Sequence, residues 1–291
     1  MPLPLLRAAI IAALLAVLGV LGGCSALKLG YGQADTLVFR YFDGYADLDE
    51  AQSLRTKQAI AAWFDWHRRT QVNDYADLLL RIDAEVLADT TPERVCAWWD
   101  EVRERMDRGV DHAVPAFAEI AQTLKPAQFE QIERKQAKSN VEYREQFLQA
   151  DPQRRAREAA KRFSGRAEWL YGDVTRAQRD AVARSIAESA FDPALAFEER
   201  RRRQEDGVRT LRRLAGMSQA AAEAELRGWV QRLEQSPQEA WRRQSERQLA
   251  SNCRLFAQLH NATSAEQRQA ASTRLRGWAA DLRGIARDAG A

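Results

Sequence analysis

The chain has 291 residues, with 44 Lys and Arg against 41 Asp and Glu, a formal net charge of +3, and 45% apolar and 29% charged residues. This composition is globular and excludes both a disordered chain and a polytopic membrane protein. The near balance of charge excludes a dedicated nucleic-acid binder, which carries a basic excess, and the length accommodates two domains or one helical domain.

The first elements in chain order concern address. Arg7 supplies a positive start, and Ala8 to Leu21 is a 14-residue apolar run interrupted only by Gly19. That run is too short to cross a bilayer, which takes about 20 residues, and it has the proportions of a secretory signal. It ends in Leu21-Gly22-Gly23-Cys24, which resembles the bacterial lipobox. The resemblance implies cleavage after Gly23, a diacylglyceryl group on the sulfur of Cys24 and acylation of the new amino terminus. Several acyl chains together anchor a protein stably. In that class the next residue is read for sorting, and Ser25, not being Asp, points to the outer membrane with the body in the periplasm. Residues 1–23 are thus expected to be a lipoprotein signal peptide and 24–35 a lipidated tether reaching about 35 Å at roughly 3.3 Å per residue. Residues 36–291 are expected to form an all-helical domain with a candidate sub-boundary near 190–217.

Thr36 to Phe42 is rich in β formers but has no partner strand, so it reads equally as a docking segment or a helical turn. Beyond residue 47 the pattern is helical. Ile60, Trp63, Phe64 and His67, then Tyr75, Leu78, Leu79, Ile82 and Val86, then Leu226, Trp229, Val230 and Leu233, then Leu275, Trp278, Ala279 and Leu282 all follow the amphipathic spacing. Pro92, Pro126, Pro152, Pro193 and Pro237 stand where helices would begin, because Pro at the first helical position loses no hydrogen bond. Pro115 falls inside an apolar stripe and should kink or split its helix near Val114. The expectation is an all-α array of about ten helices, spanning roughly 49–68, 73–88, 92–122, 126–148, 152–170, 175–190, 193–214, 218–235, 237–261 and 264–288.

Once Cys24 is lipidated, Cys96 and Cys253 remain, a disulfide candidate in an oxidising compartment, with two buried thiols as the alternative. Four stretches share one layout: Leu48-Asp49-Glu50-Ala51-Gln52, Leu124-Lys125-Pro126-Ala127-Gln128, Val174-Thr175-Arg176-Ala177-Gln178 and, more loosely, Thr263-Ser264-Ala265-Glu266-Gln267. Each reads as a capping box, imperfect at Lys125, whose side chain cannot accept a hydrogen bond. Tyr41, Phe42, Trp63 and Trp66 belong to an early aromatic cluster, read either as a groove for a peptide or acyl chain or as plain core. The run Arg200 to Arg203 reads as a lipid-phosphate contact or as a solvated face paired as Glu198–Arg202 and Glu199–Arg203. No nucleophile elbow, phosphate loop, zinc motif or calcium loop is present, so no catalytic or metal residue is expected, and the only cofactor expected is the covalent lipid on Cys24.

The repeated layout is similar to the Leu-Thr-x-x-Gln motif of small periplasmic helical chaperones, which bind unfolded clients or sense envelope stress. Arg40-Tyr41-Phe42-Asp43, Trp66-His67-Arg68-Arg69, Asn252-Cys253 and Leu275-Arg276-Gly277-Trp278 resemble an uncharacterised family of proteobacterial all-helical lipoproteins. That resemblance implies an address and a helical shape. The expected function is a non-enzymatic, membrane-tethered scaffold or chaperone-like protein, with the membrane and envelope proteins or peptides as partners and no nucleic acid. The alternatives are an envelope hydrolase with an unrecognised carboxylate site, or a protein that binds lipid or lipopolysaccharide.

Overall fold

The computed structural model describes residues 26–149, 151–189 and 191–288; the signal segment, Gly23 and Cys24 lie outside the described residues. These form an all-α array of twelve helices with no strand among the described residues: α1 (Ala26–Gly32), α2 (Ala34–Ala46), α3 (Glu50–Thr70), α4 (Val72–Glu85), α5 (Pro92–Ala121), α6 (Pro126–Phe147), α7 (Pro152–Tyr171), α8 (Arg176–Ala187), α9 (Pro193–Arg213), α10 (Gln219–Glu234), α11 (Glu239–Asn261) and α12 (Ala265–Asp288).

The caps explain most of the boundaries. Asp49, Thr91, Asp151, Thr175, Asp192 and Ser218 each accept a first-turn backbone N–H through the side chain, satisfying donors that a helix start leaves without partners. Three chain reversals carry a positive φ: Asp47 after α2 (φ 51°), Gly172 after α7 (φ 81°) and Gly216 after α9 (φ 77°). Asp tolerates that region better than most side chains, and Gly adopts it freely.

The longest helix, α5, is about 45 Å long at 1.5 Å per residue and acts as a spine. Its C-terminal part buries Val114, Ala118 and Ala121 against Leu214, Ala222 and Leu226. Its N-terminal part lies along α11, where Cys96 and Cys253 form a disulfide with Cα atoms 5.6 Å apart. A larger core gathers Val86, Tyr171, Val174, Val182, Leu255, Leu259 and Leu275 from α7, α8, α11, α12 and the end of α4. α12 packs along α4 through small residues, Ala271, Ser272 and Ala279, which are all buried. A polar link pins that pair: Ser272 Oγ donates to Asp83 at 2.5 Å and Arg276 Nε donates to the other carboxylate oxygen at 2.6 Å.

Thr36–Phe42 is helical, inside α2, which is one of the two readings its sequence allowed. Two expectations are corrected. The stretch expected to be a loose tether is instead largely helical from Ala26, and Tyr31 docks it on the body: the ring meets Phe64 edge-on at 5.6 Å and its hydroxyl lies 2.8 Å from His67 Nδ1. Pro115 does not split α5, which runs unbroken from Pro92 to Ala121; the Pro115 carbonyl accepts a hydrogen bond from Gln219. One boundary also moves. The Ser236 hydroxyl donates to Glu199 and accepts the Gln238 N–H, and α11 begins at Glu239 after the cap residue Gln238.

The disulfide closes a loop spanning 157 positions, so its loss should be felt mainly through a freer unfolded chain. Reduction, or the double change Cys96→Ser with Cys253→Ser, should lower the unfolding free energy by up to about 5 kcal/mol, read as a lower urea midpoint of the full chain. An unchanged midpoint would show that the loop is already constrained in the unfolded state.

Candidate functional site

The four Gln-bearing helix starts meet in two pairs. Gln52 at the start of α3 faces Gln128 at the start of α6. Each amide oxygen accepts its own cap residue's backbone N–H, Asp49 at 3.0 Å and Lys125 at 2.9 Å. Each amide nitrogen donates across the junction, from Gln52 to the Thr123 carbonyl at 2.8 Å and from Gln128 to the Asp47 carbonyl at 3.0 Å. The two amides also bond to each other at 3.1 and 2.8 Å.

The second junction repeats this arrangement. Gln178 at the start of α8 faces Gln267 at the start of α12. The cap N–H groups of Thr175 and Ser264 are accepted at 2.8 and 2.9 Å, the carbonyls of Ala262 and Asp173 are reached at 2.8 and 2.7 Å, and the amides bond at 2.9 and 3.1 Å. In all four cases the carbonyl reached stands two positions before the opposite cap residue. Lys125, which cannot cap, puts its ammonium 2.8 Å from Asp49 Oδ2. That hydrogen bond, helped by the Gln52 backbone N–H, holds the Asp49 carboxyl below its ordinary range.

Beside the second junction lies an apolar cleft of about 260 Å³, whose wall includes Trp98, Trp169, Leu170, Phe256, Leu275 and Trp278. Trp169 is 67% exposed and stacks on Trp278 with ring centroids 4.3 Å apart. Tyr171 and His260 also line the cleft, but their polar atoms are turned on each other. His260 Nε2 lies 2.8 Å from the Ala88 carbonyl, which can only accept, so this nitrogen carries the proton; Nδ1 then accepts the Tyr171 hydroxyl at 2.8 Å. Burial pushes the Tyr171 phenol up and the His260 imidazole down. A second Tyr–His pair, Tyr31 with His67, behaves alike: burial raises Tyr31 to about 12 and lowers His67. Each arrangement favours a neutral imidazole.

The structure separates the sequence-singled aromatics. Tyr41 and Phe42 lie on the outer helix α2 and are exposed. Trp63 donates its indole N–H to the Gly109 carbonyl at 2.9 Å, in contact with the space where a Gly109 Cβ would sit. Trp66 stacks on His112 at 3.7 Å. None of the four lines the cleft. Of the residues that do line it, Ile82 and Val86, and Leu275 and Trp278, lie on helical stripes legible in the sequence, Trp98 stands at the end of the run of early aromatics, and no sequence pattern signals Trp169, Leu170 or Phe256.

The arginine run is absorbed by the fold. Glu199, 1% exposed, accepts from Arg202 at 2.7 and 2.8 Å, Arg203 at 2.7 Å and Ser236 at 3.0 Å. Burial alone would raise this carboxyl, and the three donors together outweigh it and keep it below the ordinary range. Arg202 thus pairs with Glu199, and Arg200 turns to Asn140 and Ser139. The carboxyl held above its ordinary range is Glu234, raised by burial and then by Asp107 and Asp111; it does not line the cleft. Among the described residues no group of three or more His, Cys, Asp or Glu could hold a metal ion, and no helix is long and apolar enough to cross a membrane.

Two predictions follow from this geometry. Gln128→Leu removes four hydrogen bonds, two of them from the buried Gln52 amide and one from the Asp47 carbonyl, so it should destabilise the chain by about 2–4 kcal/mol in urea titration. Gln128→Glu should be as damaging, because it sets an acceptor against an acceptor.

Both histidines titrate below the ordinary value near 6.5 when folded. Between the folded and ordinary values the unfolded chain binds more protons, so their stabilisation is complete above about pH 6.5 and is lost as pH falls below it. The urea midpoint should therefore drop from pH 7.5 to 5.5, and His260→Phe should flatten that slope even though it lowers the midpoint itself.

No curated protein and no solved structure is detectably similar to the chain. A family model matches residues 44–223, from the end of α2 into α10, so it includes Gln52, Gln128, Gln178 and Cys96 and stops before Cys253 and Gln267. By that match the chain belongs to DUF6279, a family of unknown function.

Proposed function

We propose that this protein is a bacterial envelope lipoprotein, anchored through acyl chains on Cys24 to the periplasmic side of the outer membrane, and that its body is a non-enzymatic scaffold or chaperone-like binder of envelope proteins or peptides. The observation that carries the reading is a combination. A chain opening with a short apolar run and Leu21-Gly22-Gly23-Cys24 has a body joined by the Cys96–Cys253 disulfide. Such bonds persist in the periplasm and are rare where thiols are kept reduced. The paired Gln junctions support the chaperone-like half, since they are built from the stretches that resemble the Leu-Thr-x-x-Gln motif.

The cleft favours a second reading, a carrier of an acyl or aromatic group. Its wall is apolar apart from Arg166, Tyr171 and His260, and the last two satisfy each other.

Labelled palmitate should enter the wild-type protein in cells and fail to enter Cys24→Ala. Equal labelling of both, or of neither, would end the anchor reading. The scaffold reading requires that the anchored protein crosslink to envelope proteins in cells or suppress aggregation of unfolded envelope clients. If it does neither, while brominated acyl chains quench its Trp fluorescence, the carrier reading replaces it.

A further inference from the structure

We infer that α1 and α2 lie flat against a lipid surface and set the orientation of the body on the membrane. This rests on the lipid-anchor reading above and adds to it the face that meets the bilayer.

The two helices form one nearly continuous rod. Gln33 between them keeps a right-handed helical backbone (φ −107°, ψ −2°). Its N–H donates to the Gly30 carbonyl at 3.3 Å, and the Leu37 N–H donates to its own carbonyl at 3.1 Å. Along such a rod Leu29, Gln33, Leu37 and Tyr41 follow one another at four-residue steps and share a side. Leu29 is 62% exposed, Leu37 58% and Tyr41 62%, and α2 contains no buried residue. Other side chains hold the rod to the body: Tyr31 on Phe64 and His67, Phe39 beneath Lys57, and Phe42 beside Phe117. The rod therefore presents apolar side chains both toward the body and away from it, which a helix bathed in water on its outer side does not need.

The position of the anchor decides what covers that outer side. Cys24 stands two residues before Ala26, at most about 7 Å of extended chain. Acyl chains on that sulfur would hold the first turn of α1 at the headgroup boundary, and α2 is only about 20 Å long. Arg40, three residues after Leu37 and next to Tyr41, is exposed and has no ion-pair partner among the described residues. A cation beside Leu and Tyr is the mixture that settles at this boundary, with the ring at headgroup depth and the guanidinium on lipid phosphate. A protein partner has no such fixed proximity to the rod.

The test uses the full lipidated chain in vesicles of phosphatidylethanolamine with a minority of phosphatidylglycerol. Spin labels are placed in turn at Leu37→Cys, Tyr41→Cys and, as a reference on the exposed part of α5, Met106→Cys. All three sites are exposed, so the fold tolerates the label, and circular dichroism checks it. Labels at 37 and 41 should be several-fold more accessible to oxygen than to a water-soluble nickel chelate, and the label at 106 should show the reverse.

Labels at 37 and 41 that read aqueous while the protein floats with the vesicles would overturn this inference and leave the anchor reading standing. So would spin–spin broadening between copies, or shielding that appears only when envelope protein is added; either outcome would assign the face to a protein. If the wild-type chain neither takes up palmitate nor floats, the anchor reading fails and takes this inference with it.

Discussion

The fold depends on how four helix starts dispose of their polar groups at points where water is largely excluded. A helix leaves its first N–H groups without partners, and here each start is also pressed against another. A glutamine at the third helical position resolves both constraints. Its amide oxygen has two acceptor sites and its nitrogen two hydrogens, and all four are used: one cap N–H accepted, one distant carbonyl reached, and two bonds exchanged with the facing glutamine. Glutamate in the same place would have no hydrogens to give and would set two carboxylates together. Asparagine, one methylene shorter, would not reach from the helix to both the cap and the facing chain. The residue type is therefore dictated by the junction, and the cap residue is less constrained: Asp49, Lys125, Thr175 and Ser264 all serve, Lys125 by pairing with Asp49.

Charge in this chain serves mainly to join helices. Asp83 draws Ser272 and Arg276 of α12 onto α4, Asp206 holds Arg232 of α10 at 2.9 Å, and Glu199 holds Ser236 through its hydroxyl. A carboxylate as enclosed as Glu199 is costly unless its lone pairs are filled by charged donors, and this is the physical reason for two of the four consecutive arginines. The near balance of acidic and basic residues thus reflects internal pairing as much as surface solvation. The arginines that remain outside such pairs, Arg40 among them, are the ones left to meet something else.

The sequence was most legible where local and tertiary preferences agree. The stripes at Leu78–Val86 and Leu275–Ala279 are buried as their spacing requires, and the prolines at 92, 126, 152 and 193 each open a helix. It was least legible where tertiary contacts override local preference. Residues 36–42 are β formers held in a helix because Phe39 and Phe42 on one side dock on Lys57 and Phe117. Pro115 sits within a helix whose neighbouring turns, at Val114 and Ala118, are fixed in the core against α10. The capping layout was visible four times, but the pairing of Gln52 with Gln128 and of Gln178 with Gln267 joins residues 76 and 89 positions apart, and no local pattern encodes which start meets which. The early aromatics drew attention by proximity in sequence, and of them Trp98 lines the cleft, which takes Trp169, Phe256 and Trp278 from three further helices.

The disulfide also connects the two junctions through their helices. Each junction is entered by a helix whose last residues supply the carbonyl taken by the opposite glutamine: α5, through Thr123, at the first, and α11, through Ala262, at the second. These two helices hold equivalent places, and Cys96 and Cys253 join them to each other. The bond therefore links two copies of one local design, each of which would otherwise depend on its own apolar contacts. At the first junction, Gln128 binds the carbonyl of Asp47, the left-handed residue that ends α2. A helix with no buried residue of its own is thereby tied at its C-terminal end to the first junction, as Tyr31 ties the preceding α1 to Phe64 and His67. A force applied near the amino terminus would meet the body first at Tyr31, and would load the junction, and through it α5 and the disulfide, once that contact gave way.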